Sequence, residues 1–188
     1  MDTRSALIET AVRLFADRGY DAVGVQELVT TVGVTKPTLY HHFGSKNGLL
    51  LAILDEYHQP LLASLEEAAR YRHDLGANLY DILVLNLKLA AEQAPFFRLL
   101  LTLWVAPPGH ETFEPAIRLR RQQLDVLERL FIEAAQDHGN MRGRHRRYAK
   151  TYLSLLDSVV SWQLAGDPPL SEPERRDIVH QFSHGLYS

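Results

Sequence analysis

The chain has 188 residues, of which 46% are hydrophobic and 23% are charged, a balance typical of a soluble globular protein with room for one or two domains. A formal net charge of −3 gives no overall indication of nucleic-acid binding, and the lack of cysteine excludes disulfides and thiolate chemistry. No apolar run approaches the roughly 20 residues that span a bilayer, so we expect a cytoplasmic protein with no membrane contact.

Apolar residues recur with a helical period along the whole chain, and no segment alternates as a strand would. In the first helix, Leu7, Ala11 and Leu14 stand at positions i, i+4 and i+7 on one face. Gly24 is placed to cap the second helix and Thr35 to cap the third. Glycines also mark the expected ends of the first three helices: Gly19, Gly33 and Gly44. This spacing predicts an all-α fold of about nine helices.

The stretch VQELVTTVGVTKPTLYHHF, residues 25–43, reads as two short helices joined by a tight turn at Gly33. Leu28, Leu39 and Phe43 are expected to face inward. The second helix then presents hydrogen-bond donors on its other side: Lys36, Thr38, Tyr40, His41 and His42. A helix pair that buries one side and displays donors on the other is typical of a helix-turn-helix that reads DNA.

A longer helix is predicted over residues 46–72, with Pro60 inside it. Because proline lacks a backbone N–H, Pro60 should interrupt and kink this helix. We therefore divide the chain into a small domain, residues 1–45, and a larger helical domain, residues 46–188, with the helix 46–72 linking them.

The eighth helix, predicted over residues 145–165, is apolar on two faces. Such a helix must be covered on both sides, by its own domain on one and by a second subunit on the other. Ser171 is placed to cap the last helix, whose small and apolar residues would join this contact. The predicted dimer interface consists of Leu155, Val159, Trp162, Ile178, Phe182 and Leu186.

Aromatic residues are concentrated in the second part of the chain. For any single residue an ordinary helical core is favoured, but we expect some of them to line an apolar cavity that holds a small molecule. The candidate lining residues are Tyr57, Tyr80, Phe97, Trp104, Phe113, Phe131 and Tyr152.

No residue pattern in the sequence indicates catalysis. His180 and His184 have the i, i+4 spacing of metal ligands, but no third ligand is nearby and no glutamate follows the first histidine. Asp55 and Glu56 lie on a polar helix face, and there is no glycine-rich phosphate loop. We therefore expect no catalytic residues, no metal and no cofactor.

The N-terminal part of the chain resembles the TetR/AcrR family of bacterial transcriptional regulators. The resemblance covers roughly residues 5–54 and rests on LFADRGYDAV followed by VQELVTTVGVTKPTLYHHFGSKNGLLLAIL. This chain has Val23 and Gly24 where the family usually carries Ser or Thr before the second helix, so we expect no side-chain cap there.

The resemblance implies roles for six residues of the helix-turn-helix. Thr35 would cap the third helix and contact a phosphate, and Lys36 and Thr38 would reach base edges or phosphates. Tyr40 would bond a phosphate while packing on a thymine methyl group, and His41 would lie in the groove. Lys46 would clamp a phosphate from the start of the fourth helix.

The resemblance also implies a function, that of a ligand-responsive transcriptional repressor that binds near-palindromic double-stranded DNA as a homodimer. Residues 1–45 would bind DNA, and residues 46–188 would bind a small apolar or amphipathic effector and dimerise. One alternative is a regulator whose effector is a protein, or that has none. Another, of a different class, is a small helical enzyme or ligand carrier.

Overall fold

A computed structural model of the chain describes residues 2–137 and 141–184, and over these residues it contains nine α-helices and no strand. The predicted all-α fold is therefore confirmed. None of the described helices is both long enough and apolar enough to cross a bilayer. The helices are α1 Thr3–Arg18, α2 Val25–Val32, α3 Lys36–Phe43, α4 Lys46–Ala68, α5 Leu75–Glu92, α6 Ala94–Leu103, α7 Phe113–Asp137, α8 His145–Ala165 and α9 Glu172–His184.

The chain forms two compact units. The first comprises Met1–Pro60 and Gln93–Leu119, and the second comprises Leu61–Glu92 and Arg120–Ser188. The sequence-based division at residue 45 does not coincide with these units, because α6 packs against α1 and joins the N-terminal helices. As a division of function, it stays a prediction.

The core of the first unit is built on α1. Leu7, Ile8 and Phe15 are fully buried on one face of this helix, which packs against α2 and α6. Burying a side chain of this size contributes about 1.5–3 kcal/mol. Asp2 caps α1, since its carboxylate accepts hydrogen bonds from the backbone N–H groups of Arg4 and Ser5. The first helix is thus capped and well buried, and α2 packs against it.

Helix α4 runs through Pro60 without the predicted interruption and ends at Ala68, earlier than the predicted residue 72. The early end has a visible cause in Asn78, which is completely buried. Its Nδ2 donates to the carbonyls of Ala68 and Arg70, both at 2.8 Å. Its Oδ1 accepts from the backbone N–H of Arg72 at 3.3 Å. One side chain on α5 therefore binds the backbone that leaves α4.

The second unit is a helical core of α5, α7, α8 and α9, with the final part of α4. Tyr152 of α8 is fully buried and its hydroxyl donates to the carbonyl of Leu79 on α5. Arg120 of α7 forms an ion pair with Asp157 of α8. Ser171 caps α9 as predicted, because its hydroxyl accepts from the N–H of Glu174 at 3.5 Å while that glutamate accepts from the N–H of Ser171 at 2.7 Å.

Candidate nucleic-acid interface

The turn between α2 and α3 depends on Gly33. This residue has φ +78°, in the left-handed region that favours glycine, and its N–H bonds the carbonyls at the end of α2. Gly24 precedes α2 in an extended conformation and offers no side-chain cap, as expected. Leu28 and Leu39 are fully buried, one from each helix. The pair is therefore held together by its apolar side, which leaves the outer side of α3 free for contacts.

Thr35 occupies the N-cap position of α3, as predicted, but its hydroxyl does not cap the backbone. The Oγ1 atom lies 2.9 Å from Oγ1 of Thr38, and the Thr35 carbonyl accepts from the N–H groups of Thr38 and Leu39. The two threonines therefore form one hydrogen-bonded pair at the start of the helix. A phosphate oxygen at this end would meet the threonine hydroxyls and the N–H of Lys36, because Pro37 has no N–H and that of Thr38 is bonded to Thr35.

Lys36, Tyr40 and His41 lie exposed on α3. The Tyr40 side chain is 46% exposed, and neither it nor the Lys36 side chain has a hydrogen bond, ion pair or ring contact among the described residues. The ring of His41 lies 5.5 Å from that of His42. An exposed tyrosine without a ring contact among the described residues has its aromatic face and its hydroxyl available for an intermolecular contact.

Lys46, at the start of α4, contacts the chain itself. Its Nζ donates to the carbonyl of Tyr20 at 2.9 Å and to that of Val23 at 3.1 Å. It also lies 4.1 Å from the centroid of the Tyr20 ring. The ammonium therefore fixes the connection between α1 and α2, and one N–H of its three remains available for the predicted phosphate contact.

A second set of residues, which sequence reasoning missed, holds the same connection. Glu111, in the segment between α6 and α7, accepts hydrogen bonds from the Tyr20 hydroxyl at 2.8 Å and from Asn47 Nδ2 at 2.9 Å. His110 Nε2 lies 3.1 Å from Oδ1 of Asp21. Nothing in the sequence marked this segment, because its residues lie far along the chain from the helix-turn-helix.

Two of the five cations in the first 50 residues are paired with carboxylates. Within the first 50 residues, five Lys and Arg residues balance five Asp and Glu residues. Arg18 pairs with Glu27, and Arg4 pairs with Glu56 at 2.9 Å. Among the described side chains, Lys36 has no acidic partner, so it is the cation of α3 that can displace a counterion from DNA.

The two lysines of the interface can be separated by experiment. We expect Lys36→Ala to lower the slope of log affinity against log salt by about one counterion per protomer, with an unchanged midpoint of thermal unfolding. Lys46→Ala should lower the unfolding midpoint, because two carbonyls lose their shared donor. Salt titrations and calorimetry of both variants test this. A change of slope with Lys46→Ala as well would establish its phosphate contact.

The residues predicted to line an effector pocket fall into both compact units. The first unit contains Tyr57, Phe97, Trp104 and Phe113, and Tyr57 stacks on Phe96 with ring centroids 5.0 Å apart. The second contains Tyr80, Phe131 and Tyr152, of which the last two are fully buried in the core. Arg176 lies 4.8 Å above the Tyr80 ring. The pocket stays a prediction.

The first unit also holds an unpaired buried polar group that the sequence did not mark. His58 is buried in α4, and its Nε2 has no hydrogen-bond partner among the described residues. Burial, with a smaller effect of the Arg118 charge, lowers the pKa of His58 to about 4. The imidazole is therefore neutral near pH 7 and can either donate to or accept from a bound molecule.

The predicted dimer residues differ in how far their own chain covers them. Val159 is buried within the second unit, and Phe182 packs on Tyr152 with centroids 4.9 Å apart. Leu155 and Ile178 are half-buried, whereas Trp162 is 48% exposed. Leu186 lies outside the described residues. The interface stays a prediction, and Trp162 is the member whose side chain is most available for it.

The two histidines with metal-ligand spacing stack on each other. The rings of His180 and His184 have centroids 4.2 Å apart, and His184 Nδ1 lies 3.1 Å from the carbonyl of His180. Within residues 2–137 and 141–184, no three His, Cys, Asp or Glu side chains are grouped so that they could hold a metal ion.

Comparison with known proteins identifies the N-terminal segment. Residues 7–53 match the family described as "Bacterial regulatory proteins, tetR family". Over 98% of its length, the chain is 27% identical to the transcriptional activator FasR of Mycolicibacterium smegmatis, of which it covers 82%. The transcriptional repressor ComR of Escherichia coli is 43% identical over 54 residues, which is only 26% of its length.

Solved structures match the described fold over nearly its whole length. The regulator PfmR from Thermus thermophilus superimposes with a TM-score of 0.75 at 27% identity, covering 97% of this chain and 99% of that one. AibR, in complex with isovaleryl coenzyme A and operator DNA, gives 0.71 at 23% identity, with 99% and 98% covered. These relatives are transcriptional regulators. Residues 7–53 thus match the tetR family, and the whole chain, with its helix-turn-helix and helical C-terminal part, is similar to a TetR-family transcriptional regulator of known structure.

Proposed function

We propose that this regulator binds a near-palindromic duplex as a homodimer and that a small apolar or amphipathic effector changes its affinity for that duplex. The observation that carries the proposal is the outer side of α3, where Lys36 and Tyr40 are exposed and have no polar or ring partner in the part of the chain that the structure describes. The helix is short, so specificity depends on few side chains.

The proposed contacts follow from the chemistry of α3. The paired hydroxyls of Thr35 and Thr38 and the N–H of Lys36 suit a phosphate. Tyr40 and His41 offer an aromatic face and ring nitrogens toward base edges in the major groove. With one free cation on α3, a single helix-turn-helix binds DNA weakly. This supports a dimer whose two helix-turn-helix segments bind half-sites about 34 Å apart.

Support for the dimer comes from the exposed side of α8. Trp162 is 48% exposed there, which is unusual for so large an apolar side chain. Hydroxyls of the same helix donate to its own carbonyls, as Ser154 does to Lys150 and Ser158 does to Ser154, both at 3.0 Å. A face of small, internally satisfied side chains allows a second helix to approach closely.

The effector is proposed to be amphipathic. AibR was solved with isovaleryl coenzyme A, a molecule with an apolar acyl group and a polar carrier. In this chain, the neutral, buried and unpartnered Nε2 of His58 is a suitable partner for a thioester or carboxyl oxygen. Effector binding can release DNA only if the effector prefers the conformation that does not bind DNA.

We propose repression by occupation of a promoter as the mode of regulation. A dimer that covers two successive major grooves excludes other proteins from that stretch of DNA. FasR is an activator and ComR is a repressor, so the mode depends on where the duplex lies relative to the promoter.

The function is tested by selecting duplexes from a randomised library with the full chain. We expect enrichment of an inverted repeat and a stoichiometry of two chains per duplex. Isovaleryl coenzyme A and palmitoyl coenzyme A are then titrated into the complex to test effector response. If no duplex is enriched, the proposed regulatory function fails and a helical enzyme or carrier becomes the better explanation.

Pro60 gives a further prediction. Inside α4 it leaves the carbonyl of Glu56 without its usual helical N–H. We expect Pro60→Ala to raise the free energy of unfolding by roughly 2 kcal/mol and to reduce the response of DNA affinity to an effector. The adjacent exposed residue provides a control, because Gln59→Ala shortens a side chain without adding or removing a backbone N–H. Equal stability of both variants, together with an unchanged effector response, would remove Pro60 from the mechanism.

A further inference from the structure

The connection between α1 and α2 is held by a residue outside the DNA-binding segment. Glu111 lies in the loop that leads from α6 into α7. One of its carboxylate oxygens accepts from the Tyr20 hydroxyl at 2.8 Å, and the other accepts from Asn47 Nδ2 at 2.9 Å. Both oxygens are thus engaged, and each reaches a different element of the DNA-binding head, defined as α1, α2, α3 and the first turn of α4.

Tyr20 is the centre of this arrangement. It is only 5% exposed and packs edge-on against Phe15, with ring centroids 5.1 Å apart. Its carbonyl accepts from Lys46 Nζ, which also lies over its ring. Burial, and then the bond to Glu111, raises the pKa of the phenol, so Tyr20 remains a neutral donor. Moving the Tyr20 side chain would therefore move the start of α2.

Glu111 bridges the two ends of the segment that contains the recognition helix. In the chain, α2 and α3 lie between Tyr20 and Asn47. A carboxylate that binds both residues fixes the separation at which this segment begins and ends. Beside it, His110 contacts Asp21 at 3.1 Å, which adds a second link from the same loop. The loop therefore contacts the adjacent residues Tyr20 and Asp21 of the DNA-binding head, as well as Asn47.

We propose that Glu111 is a positioning residue for DNA recognition, which sets the orientation of α2 and α3 by holding Tyr20 and Asn47. This inference rests on the proposed DNA-binding function. The residue acts through others and does not touch DNA. Removing an acidic group from a DNA-binding protein ordinarily strengthens binding to phosphates, whereas this proposal predicts that removing Glu111 weakens DNA binding.

The test compares Glu111→Ala with Glu114→Ala on the duplex selected by the wild-type chain. Glu114 is an exposed glutamate in the first turn of α7 with no contact among the described residues, so its loss removes the same charge without breaking the bridge. We expect Glu111→Ala to weaken binding about tenfold, a change typical of losing hydrogen bonds to a charged group. Glu114→Ala should bind as the wild type does, or slightly tighter.

Two further measurements distinguish positioning from other roles. The salt slope should be the same for Glu111→Ala and wild type, since no phosphate contact is lost. Glu111→Gln keeps one acceptor oxygen and should restore part of the affinity, to a loss of about threefold. Tyr20→Phe should weaken binding, and combining it with Glu111→Ala should give less than the product of the two single losses.

The possible outcomes are separable. Equal affinities of Glu111→Ala and Glu114→Ala would overturn the inference, as would strictly multiplicative losses for Tyr20→Phe and Glu111→Ala. If Glu111→Ala does not fold, Glu111→Gln and Tyr20→Phe decide by the same criteria. If the wild-type chain enriches no duplex, the proposed function fails instead, and that result precedes any comparison of variants.

Discussion

Tyr40→Ala is expected to weaken binding of the selected duplex about a hundredfold while leaving thermal unfolding unchanged. Each protomer of the proposed dimer would lose one aromatic contact and one hydrogen bond, worth about tenfold together, and the duplex meets two protomers. Stability should be unaffected, because the Tyr40 side chain is exposed and has no contact among the described residues. Affinity is measured by fluorescence anisotropy and stability by calorimetry.

Tyr40→Phe separates the two parts of that effect. It keeps the ring that would pack on a thymine methyl group and removes only the hydroxyl that would bond a phosphate. We expect a loss of about tenfold in the dimer and an unchanged salt slope, since no cation is removed. Leu51→Ala, on an exposed side of α4, is the control for losing a large apolar surface residue. If Tyr40→Ala bound as tightly as Leu51→Ala, Tyr40 would not be a DNA contact.

Asn78→Ala is expected to lower the free energy of unfolding by about 3 kcal/mol, the largest loss we predict for a single polar residue. The substitution removes the donor shared by the carbonyls of Ala68 and Arg70, each of which then lacks its partner. For a chain of this length, that corresponds to a decrease of roughly 10 °C in the unfolding midpoint. Chemical denaturation followed by circular dichroism measures it.

Asn86 provides a matched control on the same helix. Its Nδ2 donates at 2.9 Å to the carbonyl of Ile82, one turn earlier, so it binds no other element. We expect Asn86→Ala to change stability by less than about 0.5 kcal/mol, within the range of ordinary surface substitutions. Equal losses for both asparagine variants would contradict a special role of Asn78 in ending α4.

The helix-turn-helix was predictable because its geometry depends on residues with few alternatives. Gly33 takes a left-handed conformation that few other residues adopt, and Thr35 is an N-cap residue followed by Pro37, which is tolerated in a first helical turn. Leu28 and Leu39 are buried, as their spacing predicts. Local rules of this kind need no knowledge of the rest of the fold.

The larger helical part was harder to predict, because the sequence shows which residues are apolar but not whether the core, a ligand or a second subunit covers them. Tyr152 and Phe131 are fully buried core residues, although their sequence pattern also allows a cavity lining. On α8, Val159 belongs to the same buried face as Leu156, whereas Trp162, one turn further along, is exposed. The contacts of Glu111 could not be predicted for another reason, since its partners Tyr20 and Asn47 are distant in sequence.

The two tryptophans, described above as a pocket candidate and an exposed residue of α8, fall one in each compact unit. Trp104 is in the first unit and half-buried, whereas Trp162 is in the second and 48% exposed. Indole emission depends on the polarity around the ring, so a chain that retains a single tryptophan carries an intrinsic optical label in a chosen unit. Unlabelled protein could thus report on the first compact unit and on the α8 surface separately.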